Sequence, residues 1–395
     1  MADNLASLFL IDPEVTFLNH GSFGACPRPV FEVYQAWQRR LERQPVAFLD
    51  PDRGYFAWMA ETRQALAAEI GAEADDIVGA VNSTFALNVV ARSLPLEPGD
   101  EILTTDHEYA ALEKTWDYVA RRSGARVVVV DLPMPLTSAE AFTEALRAGM
   151  TERTRVVFLS HITSPTALLL PIEAIVAEAR ARGIWSVIDG AHTPGHIALD
   201  LDSLGADFYA GNCHKWMMAP KGSAFLHVRR EHQALMNPLV ISHGWTANRT
   251  GTGPFGNSAF VDAMEMQGTR DPSAWLTVPA ALRFREEHGW TEVAARCHEL
   301  AWRTAERVAE RTGVPLLSSE PFTAPQMVAM PLPAGTPEPV ALHRALLERH
   351  GVEIPVFSWK GLTIARLSVQ GYNTEAQMER LIDALTDILH LSKAA

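Results

Sequence analysis

From residue 77 onward the apolar positions of this chain gather into short, nearly continuous runs separated by longer amphipathic stretches. The runs "DIVGAV", "DEILTT", "RVVVVDL", "TRVVFLSHI", "WSVIDGAH", "ADFYAG" and "GSAFLHV" read as strands. Between the earlier ones, "EYAALEKTWDYVARR", "SAEAFTEALRAGM" and "PIEAIVAEARARG" repeat their apolar residues at helical spacing. Strands without polar alternation, joined by crossover helices, predict an α/β fold with a mainly parallel seven-stranded sheet covered on both faces. The last two runs have no helix between them, so one antiparallel member is expected there.

The flanks have a different rhythm. Residues 31 to 71 read as two helices broken around "RQPVAFLDPDRG", and a glycine-rich polar loop spans 242 to 260. After a helical pattern near 273 to 312 come strand "QMVAMPL", helix "PVALHRALLERHG", strands around "TIARLSV" and a last helix from Thr374. This predicts an N-terminal segment over 1–30, a large α/β domain over 31–285 and a smaller α+β domain over 286–395. Two domains suit a chain of 395 residues, which is longer than a single core usually supports.

Composition narrows the partners. A formal net charge of −13 argues against nucleic acid or an anionic membrane as the main partner. Three cysteines at unrelated spacings, Cys26, Cys213 and Cys297, make neither a disulfide framework nor a zinc ribbon and predict a reducing, cytoplasmic setting. The stretch "MADNLASLFLIDPEVTFLNHG" lacks a basic start and carries Asp3 and Asp12, so no signal peptide is expected. Nor does any run reach the length of a membrane span.

In open α/β sheets ligands sit beyond the carboxyl ends of the strands. There the sequence is polar: "NST", "DHEY", "HITSPT", "DGAH" and "GNCHK" follow successive strands. Lys215, at the end of the sixth strand, is a candidate imine-forming amine. Asp189 ends an apolar strand, where a carboxylate needs a cationic partner such as a pyridinium, or else serves as a turn residue before Gly190. Asn82, Ser83 and Thr84 open a helix whose N-terminus offers donors to a phosphate, or is simply capped. Lysine, acid and phosphate donors together fit pyridoxal phosphate. His107 could lie against the cofactor ring, with Tyr109 as the other candidate. His192 belongs to the same rim; pairing with His196 on a metal would need a helix that Pro194 and Gly195 disfavour.

The set "NST", "DHEY", "HITSPTA", "DGAH", "NCHKW", "GTRDP" and "ARLSVQGYN" resembles the class V, fold-type-I pyridoxal-phosphate enzymes, which include cysteine desulfurases, kynureninases and isopenicillin N epimerases. "FLNHGSFGACPRPV", "DHEYAALEKTW" and "HITSPTALLLP" are most similar to the epimerase-like members. The resemblance implies that Lys215 is the Schiff-base lysine, Asp189 the pyridine partner and His107 the stacking residue, with Ser164 near the phenolic oxygen. Ser83, Thr84, Asn212 and His214 would hold the phosphate, and Asn82 and His192 would complete the cofactor site. Gly268 and Thr269 would reach the phosphate of a neighbouring subunit, which implies a homodimer with shared sites. Arg366 would fork the α-carboxylate of an amino-acid substrate, and Asn19, His20 and Gly21 would line the substrate pocket.

One departure bears on the reaction. A desulfurase needs a nucleophilic cysteine before that arginine, and "GVEIPVFSWKGLTIAR" has none. Epimerisation at Cα is the favoured expectation, with His107 or Tyr109 as second acid. A C–S lyase, such as one acting on hercynylcysteine sulfoxide, is the alternative. Transamination ranks below these, and a cofactor-binding sensor without turnover lowest.

Overall fold

The computed structural model describes residues 5–391. Residues 1–4, with Asp3, and 392–395 lie outside the described residues. Among the described residues, twelve strands form three sheets. The short β1 (Thr16–Phe17) pairs in parallel with β10 (Val352–Glu353), tying the N-terminal segment to the C-terminal part of the chain. The main sheet holds β2 (Ile77–Ala80), β3 (Glu101–Thr105), β4 (Arg126–Val130), β5 (Thr154–Ser160), β6 (Trp185–Gly190), β7 (Phe208–Asn212) and β8 (Ala224–Val228). Their order is β2-β8-β7-β6-β5-β3-β4. A small antiparallel sheet is built from β9 (Met327–Pro331), β11 (Val356–Trp359) and β12 (Leu362–Ser368) in the order β11-β12-β9.

All seven strand-like runs of the large sheet are strands, and β8 is the antiparallel one, pairing with both β7 and β2. Burial explains their composition. Along β5, Val156 and Phe158 enter one core while Val157 and Leu159 enter the other, so a strand buried on both faces has no polar alternation to show. The most uniformly β-branched run, β4, sits at the sheet edge, with Val129 exposed and Arg126 at its start. Its composition therefore marks strand propensity and not depth.

Helices Ser83–Ser93 and Ala110–Ser123 contribute to the first core, through Leu87, Val90, Leu112 and Trp116. The second core runs on, through Phe142 and Val176, to helix Trp290–Thr312, which packs on β9. The break in the N-terminal helical region is real: Arg28–Arg43 and Tyr55–Ile70 are separated by short turns of helix. Beneath Tyr55–Ile70 lies a buried ion pair, Arg63 Nη1 to Glu265 Oε2 at 2.6 Å.

Candidate active site

β2, β3, β5, β6 and β7 all run in one sense, so the polar ends read from sequence gather at one edge. Asp189 pairs in register with Ser160 on β5 and Ala210 on β7. Its carboxylate is 4% exposed and accepts the Ala191 N–H at 2.9 Å. Burial pushes it up to about 6, against the opposing pull of that N–H and of Lys215.

Lys215 leaves the same edge. Its Nζ lies 3.0 Å from His192 Nε2. Burial holds its amine down at about 7, helped by Arg366 and opposed by Asp189. The backbone here is clamped: the Lys215 carbonyl accepts His20 Nε2–H and Met218 N–H, each at 3.0 Å. Gly24, at φ +71°, lets the N-terminal segment lie against this loop, because a Cβ there would sit 1.9 Å from the His214 carbonyl oxygen. Lys221 is the bland lysine: exposed, it donates to the Gly24 carbonyl at 2.8 Å.

Helix Ser83–Ser93 supplies the anion end. Asn82 caps it through Phe85 N–H at 2.8 Å, and Asn212 Oδ1 accepts Ser83 N–H at 2.9 Å, fixing β7 to the helix start. Among the described residues Ser83 Oγ is buried without a partner, and Thr84 is half-buried beside it. His214 donates Nδ1–H to the Ser223 carbonyl at 3.1 Å, so its neutral ring keeps Nε2 as an acceptor. Burial lowers this imidazole to about 4, so it offers an N–H to an anion only if the anion's own charge protonates it.

His107 is buried, with Nδ1 2.8 Å from Thr166 Oγ1 and Nε2 3.6 Å from Asp106. Burial lowers it to about 4. Its ring lies against Trp359, centroids 4.6 Å apart at 36°. Trp359 and Lys360 form the tip of the β11–β12 hairpin, where Trp359 Nε1–H donates to the Asp106 carbonyl at 3.0 Å and Lys360 Nζ meets Asp106 and Asp131. This hairpin is the segment without a cysteine; Cys213 is buried, which raises its thiol. Tyr109, by contrast, is 45% exposed at the start of helix Ala110–Ser123.

Arg366, on β12, is 1% exposed. Nη1 donates to the Ser164 carbonyl at 2.5 Å and to Ser164 Oγ at 3.2 Å, and Nη2 donates to Ser22 Oγ at 3.1 Å. Its guanidinium carbon lies 5.0 Å from the Phe357 ring centroid, and Nε is buried without a partner. Among the described residues no carboxylate pairs with it, and burial lowers it to about 10. Ser164 is thus fastened to this arginine.

The N-terminal motif packs against both Lys215 and Arg366. His20 braces Lys215 and Tyr372, and Gly21 is packed so closely that a Cβ would meet Met327 Sδ at 2.8 Å. Asn19 bridges Glu353 at 3.0 Å and Ser22 Oγ–H at 2.5 Å. Ser22, one residue beyond those singled out, is the side chain that reaches Arg366. Thr166, Trp216 and Trp359 were likewise missed; only tertiary contact reveals them. His196, the imagined metal partner of His192, accepts Gln326 N–H at 2.8 Å and faces the His192 carbonyl at 3.0 Å. Gly268 and Thr269 are exposed, away from Lys215 hydrogen bonding, with nothing within 4 Å of a Cβ on Gly268.

Three features fit pyridoxal phosphate: a buried carboxylate that, among the described residues, no salt bridge pairs, a buried lysine amine on the same edge, and an orphaned hydroxyl at a helix start. The Aminotransferase class-V family model matches residues 49–381. The isopenicillin N epimerase of Amycolatopsis lactamdurans is 38% identical over 388 residues, 96% of each chain. The probable chloroplastic L-cysteine desulfhydrase of Arabidopsis thaliana is 30% identical over 411 residues, covering 96% of this chain and 84% of its own. A solved C-DES mutant with glycine covalently linked to its PLP cofactor superposes at TM-score 0.80 and 21% identity, over 98% of this chain and 99% of that one. With the match spanning most of its length, the chain belongs to the class V aminotransferase family of enzymes, and pyridoxal 5′-phosphate is its cofactor.

Proposed function

We propose that the protein is an amino-acid epimerase acting at Cα through Lys215. Arg366 is the observation that carries the substrate class. A buried guanidinium faced by two serines and an aromatic ring is costly without a counter-ion, and an α-carboxylate would supply one in bidentate geometry. When bound, pyridoxal phosphate supplies an aldehyde that condenses with amines and a ring that withdraws electrons from Cα. Asp189 would keep a proton on the ring nitrogen, and Ser83, Thr84, Asn82, Asn212 and His214 would hold the phosphate. The free Lys215 amine would take the Cα proton. His107 or Tyr109 returns a proton to the opposite face.

Support for epimerisation over its rivals comes from the 38% identity to an isopenicillin N epimerase along nearly the whole chain. A C–S lyase is the second reading, favoured by the desulfhydrase relative; it shares every step up to proton removal and then expels a β-substituent. In both readings the enzyme is a homodimer in which Gly268 and Thr269 approach the partner's phosphate site, and it works in the cytoplasm. Among the described residues no helix is long and apolar enough to cross a membrane. The test is a panel of amino acids in D₂O followed by NMR and chiral chromatography. Deuterium at Cα with inversion supports the epimerase, pyruvate with ammonia supports the lyase, and no exchange with any amino acid refutes both.

A further inference from the structure

The residue after the lysine, Trp216, has an unassigned role. Its ring is fully buried, stacked on His196 with centroids 3.9 Å apart at 22°, and its carbonyl accepts Arg285 Nη1–H at 2.9 Å. Gly195, at φ +76°, allows the "HTPGH" turn to close on it, since a Cβ there would lie 2.7 Å from Met217 N. The indole N–H points at His192 Nδ1, 3.3 Å away. An indole nitrogen only donates, so His192 Nδ1 must be the bare, accepting nitrogen. A neutral imidazole carries one proton, which therefore sits on Nε2. That nitrogen is 3.0 Å from Lys215 Nζ.

Nε2–H can donate to an amine lone pair but not to an ammonium, which has none and would set N–H against N–H. We infer that Trp216 and His192 form a tautomer lock that presents an N–H to Lys215 and holds its amine neutral. The other tautomer would turn Nδ1–H against the indole N–H and strip a buried tryptophan of its acceptor. His196 stabilises the arrangement, because Gln326 N–H occupies its Nε2 and leaves Nδ1–H for the His192 carbonyl. The surroundings agree in direction: burial lowers Lys215, Arg366 adds to this and Asp189 opposes it. Burial likewise keeps His192 uncharged, with Lys215, Arg366, His196 and His214 all acting the same way. Trp216 is thus a positioning residue acting through His192.

This lock rests on Lys215 being the cofactor lysine, so its test separates the two. Nitrogen-15 NMR of histidine-labelled apoprotein, with His192→Gln for assignment, reads the tautomer directly. Nε2–H is expected; Nδ1–H or a cationic ring in wild type at neutral pH overturns the lock whatever the enzyme's activity. The rate at which apoprotein captures pyridoxal phosphate, trapped with borohydride and located by mass spectrometry, gives the pH midpoint of the Lys215 amine. Trp216→Phe should raise this midpoint by about one unit, slowing capture about fivefold at pH 7, and His192→Gln, whose amide can still donate, should restore much of the rate relative to His192→Leu. An unchanged midpoint in a folded Trp216→Phe protein overturns the inference. Absence of trapped cofactor on Lys215 in wild type would refute the lysine's role and the lock with it.

Discussion

Replacing Arg366 with methionine separates the substrate role of this residue from a structural one. Two N–H groups of the guanidinium are expected to meet the substrate carboxylate, and hydrogen bonds to charged partners are worth about 1.5–3 kcal/mol each. Losing both costs about 3–6 kcal/mol of substrate affinity, which lowers kcat/KM by about 10²–10⁴-fold, chiefly through KM. The free protein should scarcely suffer. Arg366 has no carboxylate to leave stranded, and exchanging a buried cation for an apolar chain of similar size is often neutral or stabilising. The thermal midpoint should therefore stay level or rise. Steady-state kinetics on an amino acid and on its decarboxylated amine make the test sharper: wild type should discriminate between them strongly and Arg366→Met hardly at all. A variant that keeps its kcat/KM within about threefold, or loses activity only because it unfolds, would refute the reasoning.

Ser22→Ala removes one acceptor from Arg366 and should raise KM about three- to tenfold, the worth of one ordinary hydrogen bond, with little change in kcat; an unchanged KM would show that Ser22 does not orient the guanidinium. Arg63→Ala strands Glu265 in the core and should cost about 3–5 kcal/mol in a urea melt; a loss below about 1 kcal/mol would refute the pair's structural role. Burial depresses His20 and His196 to about 3 and His107, His161, His214 and His227 to about 4, so the unfolded chain binds more protons. Their stabilisation is complete above about 6.5 and is lost as pH falls through the folded values. Glu108 and Asp189, raised to about 8 and 6, act the other way, with Asp76, Glu113, Asp202 and Glu265 in the same direction, against seven histidines once His192 is counted. The urea midpoint of the apoprotein should therefore drop between pH 6.5 and 4; a flat profile would contradict the burial of these rings.

The parts of the site legible in sequence were those carried by short segments at strand ends. Lys215, Asp189 and Asn82–Thr84 stand out because polar residues ending apolar strands need a reason, and the parallel sheet then puts them on one edge. What stayed illegible depends on distant segments. Trp359 meets His107 from 252 positions away, and Ser22 meets Arg366 where Asn19 bridges Ser368 on β12, a single-residue contact that no pattern announces. Periodicity could not show that β4 is an edge strand, since β-branched runs suit edges and centres alike. The tautomer of His192 is still less legible, because it depends on where an indole N–H points.

On the epimerase proposal, Lys215 moves the proton at Cα of an amino acid without breaking its side chain. Incubating holoenzyme with a single enantiomer in D₂O, alongside Lys215→Ala, tests it most directly. Deuterium at Cα should appear together with the opposite enantiomer in wild type, and neither should appear in Lys215→Ala. Cleavage to an oxo acid and ammonia, or exchange that persists without Lys215, would contradict it.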